Sequence, residues 1–130
     1  MSKLKKNFIY WFPPLLWMSL IFYFSSRQRF DISEKYFVDF IIFKFLHMIE
    51  YGFLFFLLFR AMHQTSKLSI KKQLVYAFII SFFYGVIDEI HQTFVPTREG
   101  KLRDVIIDTM GIAVALLIVK SNLDFVKKYF

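Results

Sequence analysis

The sequence contains no cysteine, only ten acidic residues, and no evident repeat or low-complexity segment. The absence of cysteine excludes a disulfide framework, a thiolate nucleophile and a cysteine-bound metal. Histidine, carboxylate and hydroxyl side chains are therefore the groups left to carry any chemistry. The two-histidine spacing H-E-x-x-H of zinc hydrolases is also missing.

The chain is much more apolar than a soluble domain of its size. Hydrophobic residues make up 57% and aromatic residues 22% of its 130 positions, which indicates an integral membrane protein of one domain at most. The formal net charge of +7 could suggest nucleic acid, but the basic residues are scattered between apolar runs rather than gathered on one face. We therefore expect membrane lipids as partners, and no nucleic acid.

Four apolar runs predict an all-α fold, a bundle of four transmembrane helices in a single domain covering residues 1–130. The first run follows three lysines and is long enough to cross roughly 30 Å of hydrocarbon. Its length and the lack of a cleavage pattern favour an uncleaved anchor over a signal peptide. Asp104 is expected to cap the last helix. The predicted helices cover about residues 8–26, 40–60, 73–94 and 104–120.

The distribution of charge predicts that both termini face the cytoplasm. If the helices alternate in direction, ten of the 17 Lys and Arg residues and one of the ten acids lie at the end that holds both termini. The other nine acids lie at the opposite end. Because cytoplasmic segments carry the excess of basic residues, the acidic end is expected to face outward.

Three of the predicted helices place ionisable groups at one depth. Counted from the basic end of each helix, His47, Asp88 and Asp108 lie roughly 18 to 24 Å along it, at about 1.5 Å of rise per residue. A charge that faces lipid at that depth costs at least a few kcal/mol, roughly. These side chains should therefore face one another or a water-filled pocket, and we expect a polar cavity open to the extracytoplasmic side.

Each of these groups has two interpretations. His47 shares a helical face with Lys44, Glu50 and Tyr51; it is a general base, metal ligand or proton carrier, or else a neutral histidine in a helix contact. A zinc site of His47, His91 and either Asp88 or Asp104 is chemically possible, but we expect no metal and no cofactor.

The two acids of the third helix and the arginine of the turn after it are equally open. Asp88 and Glu89 form an acid/base pair, or they pair with Lys44 and Arg98, or Glu89 faces water. Arg98 grips a phosphate or carboxylate in a bidentate way, or it anchors the chain at the lipid headgroups.

Three segments together resemble the VanZ-like family of small bacterial membrane proteins. The first pattern is K-x-x-H-x-x-x-Y in the second helix. The second is D-E-x-x-Q near the end of the third helix, followed by F-x-P-x-R. The third is D-x-x-x-N-x-x-G, which opens the fourth helix. Asp108 stands where the family has asparagine, and the pair Ser25-Ser26 adds a weaker likeness. The residues that carry the resemblance are Lys44, His47, Tyr51, Asp88, Glu89, Gln92, Phe94, Pro96, Arg98, Asp104, Asp108 and Gly111.

The resemblance implies a multi-pass protein of the bacterial cell membrane that is linked to lowered susceptibility to glycopeptide antibiotics, teicoplanin above all. We predict that its ligand is bound by polar residues of the motifs, and that His47, Asp88 and Glu89 would be the catalytic groups if the protein is an enzyme. The predicted ligand-binding residues are Lys44, His47, Tyr51, Asp88, Glu89, Gln92, Arg98, Asp104 and Asp108.

Three functions fit these residues. The first is a binding or shielding protein whose outward pocket holds an anionic lipid, a cell-wall precursor or part of the antibiotic. The second is a membrane-embedded hydrolase or transferase that acts on a lipid-linked envelope intermediate, with Ser25, Ser26 or water as the nucleophile. The third is a proton-coupled transporter, for which four helices are few unless the chain forms a homo-oligomer.

Overall fold

The computed structural model describes residues 1–27, 34–98 and 100–130, and these fold into five helices. Helix accounts for 84% of this part of the chain, which contains no strand. The all-α class predicted from the sequence is confirmed. The helices are α1 (Lys3–Ser25), α2 (Tyr36–Thr65), α3 (Ile70–Gln92), α4 (Leu102–Ser121) and the short α5 (Leu123–Tyr129).

Three helices, α1, α2 and α3, are long and apolar enough to cross a membrane. Four such helices were expected, and α4 is the exception. Its charged residues interrupt the apolar sequence, so the uncharged stretch runs only over 109–119. This is shorter than the roughly 20 residues that a membrane-spanning helix needs. The prediction of four spans is therefore corrected to three among the described helices, with α4 as a shorter member of the bundle.

The start of α4 also differs from its prediction. The N-cap position is Lys101, which makes no side-chain capping bond, and Asp104 lies within the first turn. The expected cap is therefore wrong, because the helix begins earlier and the Asp104 carboxylate binds Lys44 on α2 instead. An acidic group in this turn is still favourable beside the partial positive charge of a helix N-terminus.

The helix α2 is the centre of the bundle. It contacts α1, α3 and α4, and its contact with α4 is the most extensive in the protein. Its buried apolar side chains form the core together with residues of α4, whereas the outer faces of the helices expose large apolar side chains, as expected for lipid-facing surfaces. The buried core includes Leu54, Phe55, Leu58, Phe59, Ile112 and Val119.

The two central helices touch backbone to backbone at Gly111. A Cβ atom at Gly111 would lie 2.2 Å from the Met48 carbonyl oxygen, and one at Gly52 would lie 3.1 Å from the Gly111 carbonyl oxygen. Small residues at such a crossing let helices approach closely within a membrane. The glycine of the third motif is therefore a packing residue.

The ends of the helices gather into two groups, as in an up-and-down bundle. At one end, here called the basic end, the Trp11 indole donates to Thr65 Oγ1 at 3.0 Å, and the Gln64 amide donates to the Phe130 carbonyl. At the other, the polar end, His91 lies 2.9 Å from Ser26 Oγ. Both termini lie at the basic end, and the side of the membrane that each end faces stays a prediction.

We expect Gly111→Ala to destabilise the bundle by about 1 to 3 kcal/mol, because the added methyl group overlaps the Met48 carbonyl and forces α2 and α4 apart. Alanine favours a helix over glycine by about 1 kcal/mol, so the control is Gly85→Ala. A Cβ there would lie 3.3 Å from Cε1 of the buried Tyr51 ring and would overlap no backbone atom, so a small shift of the ring suffices and a smaller loss is expected. Thermal unfolding of the detergent-solubilised protein measures both, and equal stability of the Gly111 and Gly85 variants would contradict the close crossing.

Candidate functional site

Most of the buried polar residues lie together at the polar end of the bundle. Four helices contribute to this group, here called the polar cluster. His47 is half-buried, and every other member is buried. The members are Ser25 on α1, Lys44, His47 and Tyr51 on α2, Asp88, Glu89 and Gln92 on α3, and Asp104 and Asp108 on α4.

An ion pair joins α2 to α4 within the cluster. Lys44 Nζ lies 2.6 Å from Asp104 Oδ1, and both side chains are almost inaccessible to solvent. Arg103 Nε lies 3.5 Å from the same oxygen. A buried ion pair costs desolvation that its attraction only partly offsets, so the pair needs the support of its surroundings. The ring of Phe40 provides part of this, because it lies 5.6 Å from Lys44 Nζ and 4.8 Å from the Arg103 guanidinium carbon.

His47 lies between two carboxylates. Its Nδ1 atom is 3.5 Å from Glu50 Oε2, one turn along α2, and 3.8 Å from Asp108 Oδ1 on α4. The backbone beside this pair is fixed by α1, because the Trp17 indole donates to the Glu50 carbonyl at 3.0 Å. The bundle thus brings one imidazole and two carboxylates of α2 and α4 together at ion-pair distances.

A chain of hydrogen bonds joins α2, α3 and α1. The Tyr51 hydroxyl donates to Asp88 Oδ2 at 2.9 Å, and the Gln92 amide donates to the same oxygen at 3.2 Å. The Gln92 amide also lies 3.4 Å from Ser25 Oγ. The Tyr51 ring fits against α3 because Gly85 has no side chain there.

Besides Asp104 Oδ1, which pairs with Lys44, two carboxylate oxygens of the cluster accept no hydrogen bond within the described part of the chain. They are Asp88 Oδ1 and Asp108 Oδ2, and both are buried. Nearly all buried polar atoms in proteins have a partner, so an exception calls for an explanation. These two oxygens can accept hydrogen bonds from a ligand or from water.

The carboxylate of Glu89 holds the loop between α3 and α4. Its Oε2 atom accepts from the Lys101 backbone amide at 3.3 Å. The residue before Lys101 is Gly100, and its backbone lies close to α3. A Cβ atom at Gly100 would be 2.2 Å from the Glu89 carbonyl oxygen. This contact gives Glu89 a role in fixing the loop, which spacing along the sequence does not reveal.

Arg98 binds the end of α1. Its Nε atom donates to the Arg27 carbonyl at 2.9 Å, and its Nη2 atom donates to the Phe24 carbonyl at 3.0 Å. A guanidinium group satisfies the last carbonyls of a helix and complements the partial negative charge there. Neither interpretation of Arg98 drawn from the sequence included this contact. The preceding Thr97 has a φ of 67°, a strained conformation for a β-branched residue.

The histidine of α3 lies apart from His47, at the contact with α1. The His91 ring stacks on Phe22, with 4.6 Å between centroids, and its Nε2 atom lies 2.9 Å from Ser26 Oγ. Since Ser26 Oγ also lies 2.7 Å from the Phe22 carbonyl, to which it donates, His91 acts as the donor to Ser26. Among the described residues, no three of the His, Asp and Glu side chains are placed to hold a metal ion.

Two crevices border the polar cluster. One, here called the cationic crevice, has a volume of about 230 Å³ and lies where α2 and α4 begin, with Lys44, Lys101, Arg103 and Asp104 in its wall. The other has about 250 Å³ and is lined by Ser25, His47, Glu50 and Arg98 together with apolar side chains. The single outward-open cavity expected from the sequence stays a prediction.

The structure brings eight of the nine predicted ligand-binding residues into the polar cluster. Arg98 is the ninth; it borders the cluster through the second crevice while its guanidinium binds α1. The sequence did not single out Phe40, whose contacts with Lys44 and Arg103 follow from its place one turn before Lys44. The roles of the nine predicted residues in binding or catalysis stay predictions.

The comparisons with known proteins agree with the motifs. A family model described as VanZ/LLP1 matches residues 10–123, a range that holds every motif residue and nearly all of the four long helices. No curated protein and no solved structure matches the chain significantly. Since the match covers most of the sequence, the chain belongs to the VanZ/LLP1 family.

Proposed function

We propose that this protein lowers susceptibility to teicoplanin-type glycopeptide antibiotics by binding or shielding a ligand of the bacterial cell envelope. The ligand enters a polar pocket at the polar end of the bundle, on the extracytoplasmic side of the cell membrane. Family membership supports the class of protein. The observation that carries the pocket is the pair of buried, unsatisfied acceptors, Asp88 Oδ1 and Asp108 Oδ2, within the described residues.

A purely structural role explains the polar cluster poorly. Ionisable groups within a membrane-spanning bundle are costly, and apolar residues of similar volume usually stabilise a buried contact at least as well. The cluster holds four buried carboxylates and one buried lysine among its described residues. An arrangement that costs stability and leaves acceptors unsatisfied is typical of a binding site.

The chemistry of the cluster defines its ligand. The two free acceptor oxygens favour a ligand group that donates hydrogen bonds, such as an ammonium or a hydroxyl. The cations at the cationic crevice favour a phosphate or carboxylate of the same ligand. Envelope precursors that carry both kinds of group fit this arrangement.

The first test concerns Asp88. We expect Asp88→Asn to reduce protection against teicoplanin to the level of cells without the protein, because an amide keeps the Tyr51 hydrogen bond but presents a different group to the ligand. His47→Ala should do the same, and the double change should be no worse than either alone, since the residues act as one unit. The measurement is the inhibitory concentration, with membrane abundance checked by immunoblot.

The matched control for this test is Ile87→Ala, because Ile87 precedes Asp88 on α3 and is 62% exposed on the outer face. It should protect as well as the parent protein. Full protection by Asp88→Asn, or strictly additive losses in the double variant, would overturn the single-pocket proposal.

The orientation can be tested with single cysteines, since the chain has none of its own. We expect Ser2→Cys and a cysteine added after Phe130 to be protected from an impermeant maleimide in intact cells, while Lys101→Cys reacts. Lys101 is used because a side chain at Gly100 would overlap the Glu89 carbonyl. Lysed cells provide the control in which all three react. Labelling of either terminus in intact cells would place the polar end on the cytoplasmic side.

A hydrolase or transferase is the second candidate, and the position of His47 between Glu50 and Asp108 favours it. A histidine oriented by a carboxylate is a common general base. If this is the function, purified protein should release the head group of a radiolabelled lipid-linked precursor, and His47→Gln should abolish the release. No turnover by the parent protein would exclude the candidate for that precursor.

A further inference from the structure

The described residues of the cationic crevice carry more positive than negative charge. Among the described residues of its wall, Lys44, Lys101 and Arg103 are cationic and Asp104 is the one acid. The ring of Phe40 lies against two of the three cations, which favours fixed positions for them. Arg103 keeps about half of its side chain exposed, so its guanidinium can reach a second anion in addition to Asp104. A phosphate group matches this set of donors.

An apolar groove lies further along the same pair of helices. It has a volume of about 320 Å³, and its walls include Phe45, Ile49 and Phe53 of α2 and Val114 and Ile118 of α4, with Gly111 at the crossing. The three α2 residues named here are each more than two-fifths exposed. In a membrane such a groove is filled by hydrocarbon.

The crevice and the groove follow each other along one seam. On α2, Lys44 of the crevice wall is followed at i+4 and i+8 by Met48 and Gly52 of the groove wall, along one helical face. On α4, Arg103 of the crevice wall lies about three turns before Val114 of the groove wall. From Phe45 to Phe56 the groove runs roughly 16 Å at about 1.5 Å per residue. This length equals about half of the roughly 30 Å hydrocarbon core, which is the depth of one leaflet.

We propose that the α2–α4 seam binds one anionic lipid, with its phosphate in the cationic crevice and a hydrocarbon chain in the apolar groove. The phosphate is held by Arg103 beside the Lys44–Asp104 pair, and the chain lies between Phe45 and Ile118. This inference deepens the proposed function and rests on it for the biological role of the lipid, but the site itself rests on the seam. The adjoining charge and groove favour a lipid over a second copy of the chain, which would need no cationic crevice.

The test uses native mass spectrometry of the purified full-length protein in detergent, with three probes. These are hexadecyl phosphate, inorganic phosphate and hexadecanol, which carry both groups, the head alone and the chain alone. We expect hexadecyl phosphate to bind at least about tenfold more tightly than either of the others, because only it occupies both parts of the seam. Equal binding of hexadecanol and hexadecyl phosphate would overturn the proposal.

Paired variants separate the two halves of the site. Arg103→Gln should weaken binding of hexadecyl phosphate about tenfold, whereas Lys120→Gln, at the other end of α4, should not change it. Val114→Trp fills the groove and should weaken binding by a similar factor. Leu117→Trp places the same bulk on the outer face of α4, outside the groove, and should leave binding unchanged. Neither Arg103→Gln nor Val114→Trp replaces Lys44 or Asp104, so the buried ion pair remains and loss of fold is not expected.

Two further outcomes would overturn the lipid proposal. If Val114→Trp converts a dimer to a monomer without weakening lipid binding, the groove is an interface between copies and the lipid proposal fails. If Arg103→Gln and Val114→Trp both bind like the parent protein, the seam is not the lipid site. These results are independent of the drug-protection assay on Asp88→Asn, so failure of the seam and failure of the pocket can be told apart.

Discussion

The close approach of α2 and α4 at Gly111 determines where the polar groups of this protein can meet. The two helices run in the same direction, and their contacts form a series from the polar end inward. Lys44 meets Asp104, His47 faces Asp108, and Met48 touches Gly111. Residues three or four apart lie on one helical face, so each pair places the next. Without a glycine at the crossing, the ion pair and the histidine contact would both be pulled apart.

Much of the candidate site follows from sequence, because helical rise is nearly constant. The depth of His47, Asp88 and Asp108 could be counted from the basic helix ends, and the structure does bring these helices together around one cluster. The motif spacing added Tyr51 and Gln92, which form the hydrogen-bond chain to Asp88. This part of the site could be predicted because it depends only on the regular rise and spacing of residues in a helix.

The roles of Glu89, Arg98 and Gly100 could not be read in the same way. Their partners are backbone groups, namely the Lys101 amide, the last carbonyls of α1 and the Glu89 carbonyl. Such contacts depend on the path of an irregular loop, and this loop turns through a left-handed threonine. The sequence offers Arg98 as an anion ligand or a headgroup anchor, and the structure adds a third role, in which it joins α1 to the α3–α4 loop. The span of α4 was overestimated for a simpler reason, since its charged first half was counted as membrane length.

The brevity of the apolar part of α4 bears on the bilayer as well as on the protein. The uncharged stretch 109–119 extends roughly 16 Å along the helix axis, against about 30 Å for an average hydrocarbon core. A helix with this mismatch draws the neighbouring lipid inward or is shielded by its partners, at a cost of a fraction of a kcal/mol per Å. On the flank where α4 meets lipid, the leaflet at the polar end should therefore be thinned, with headgroups and water drawn toward Arg103. The protein would then favour thin regions of a membrane over thick ones, and its distribution among lipid environments would be set by the shortest of its long helices.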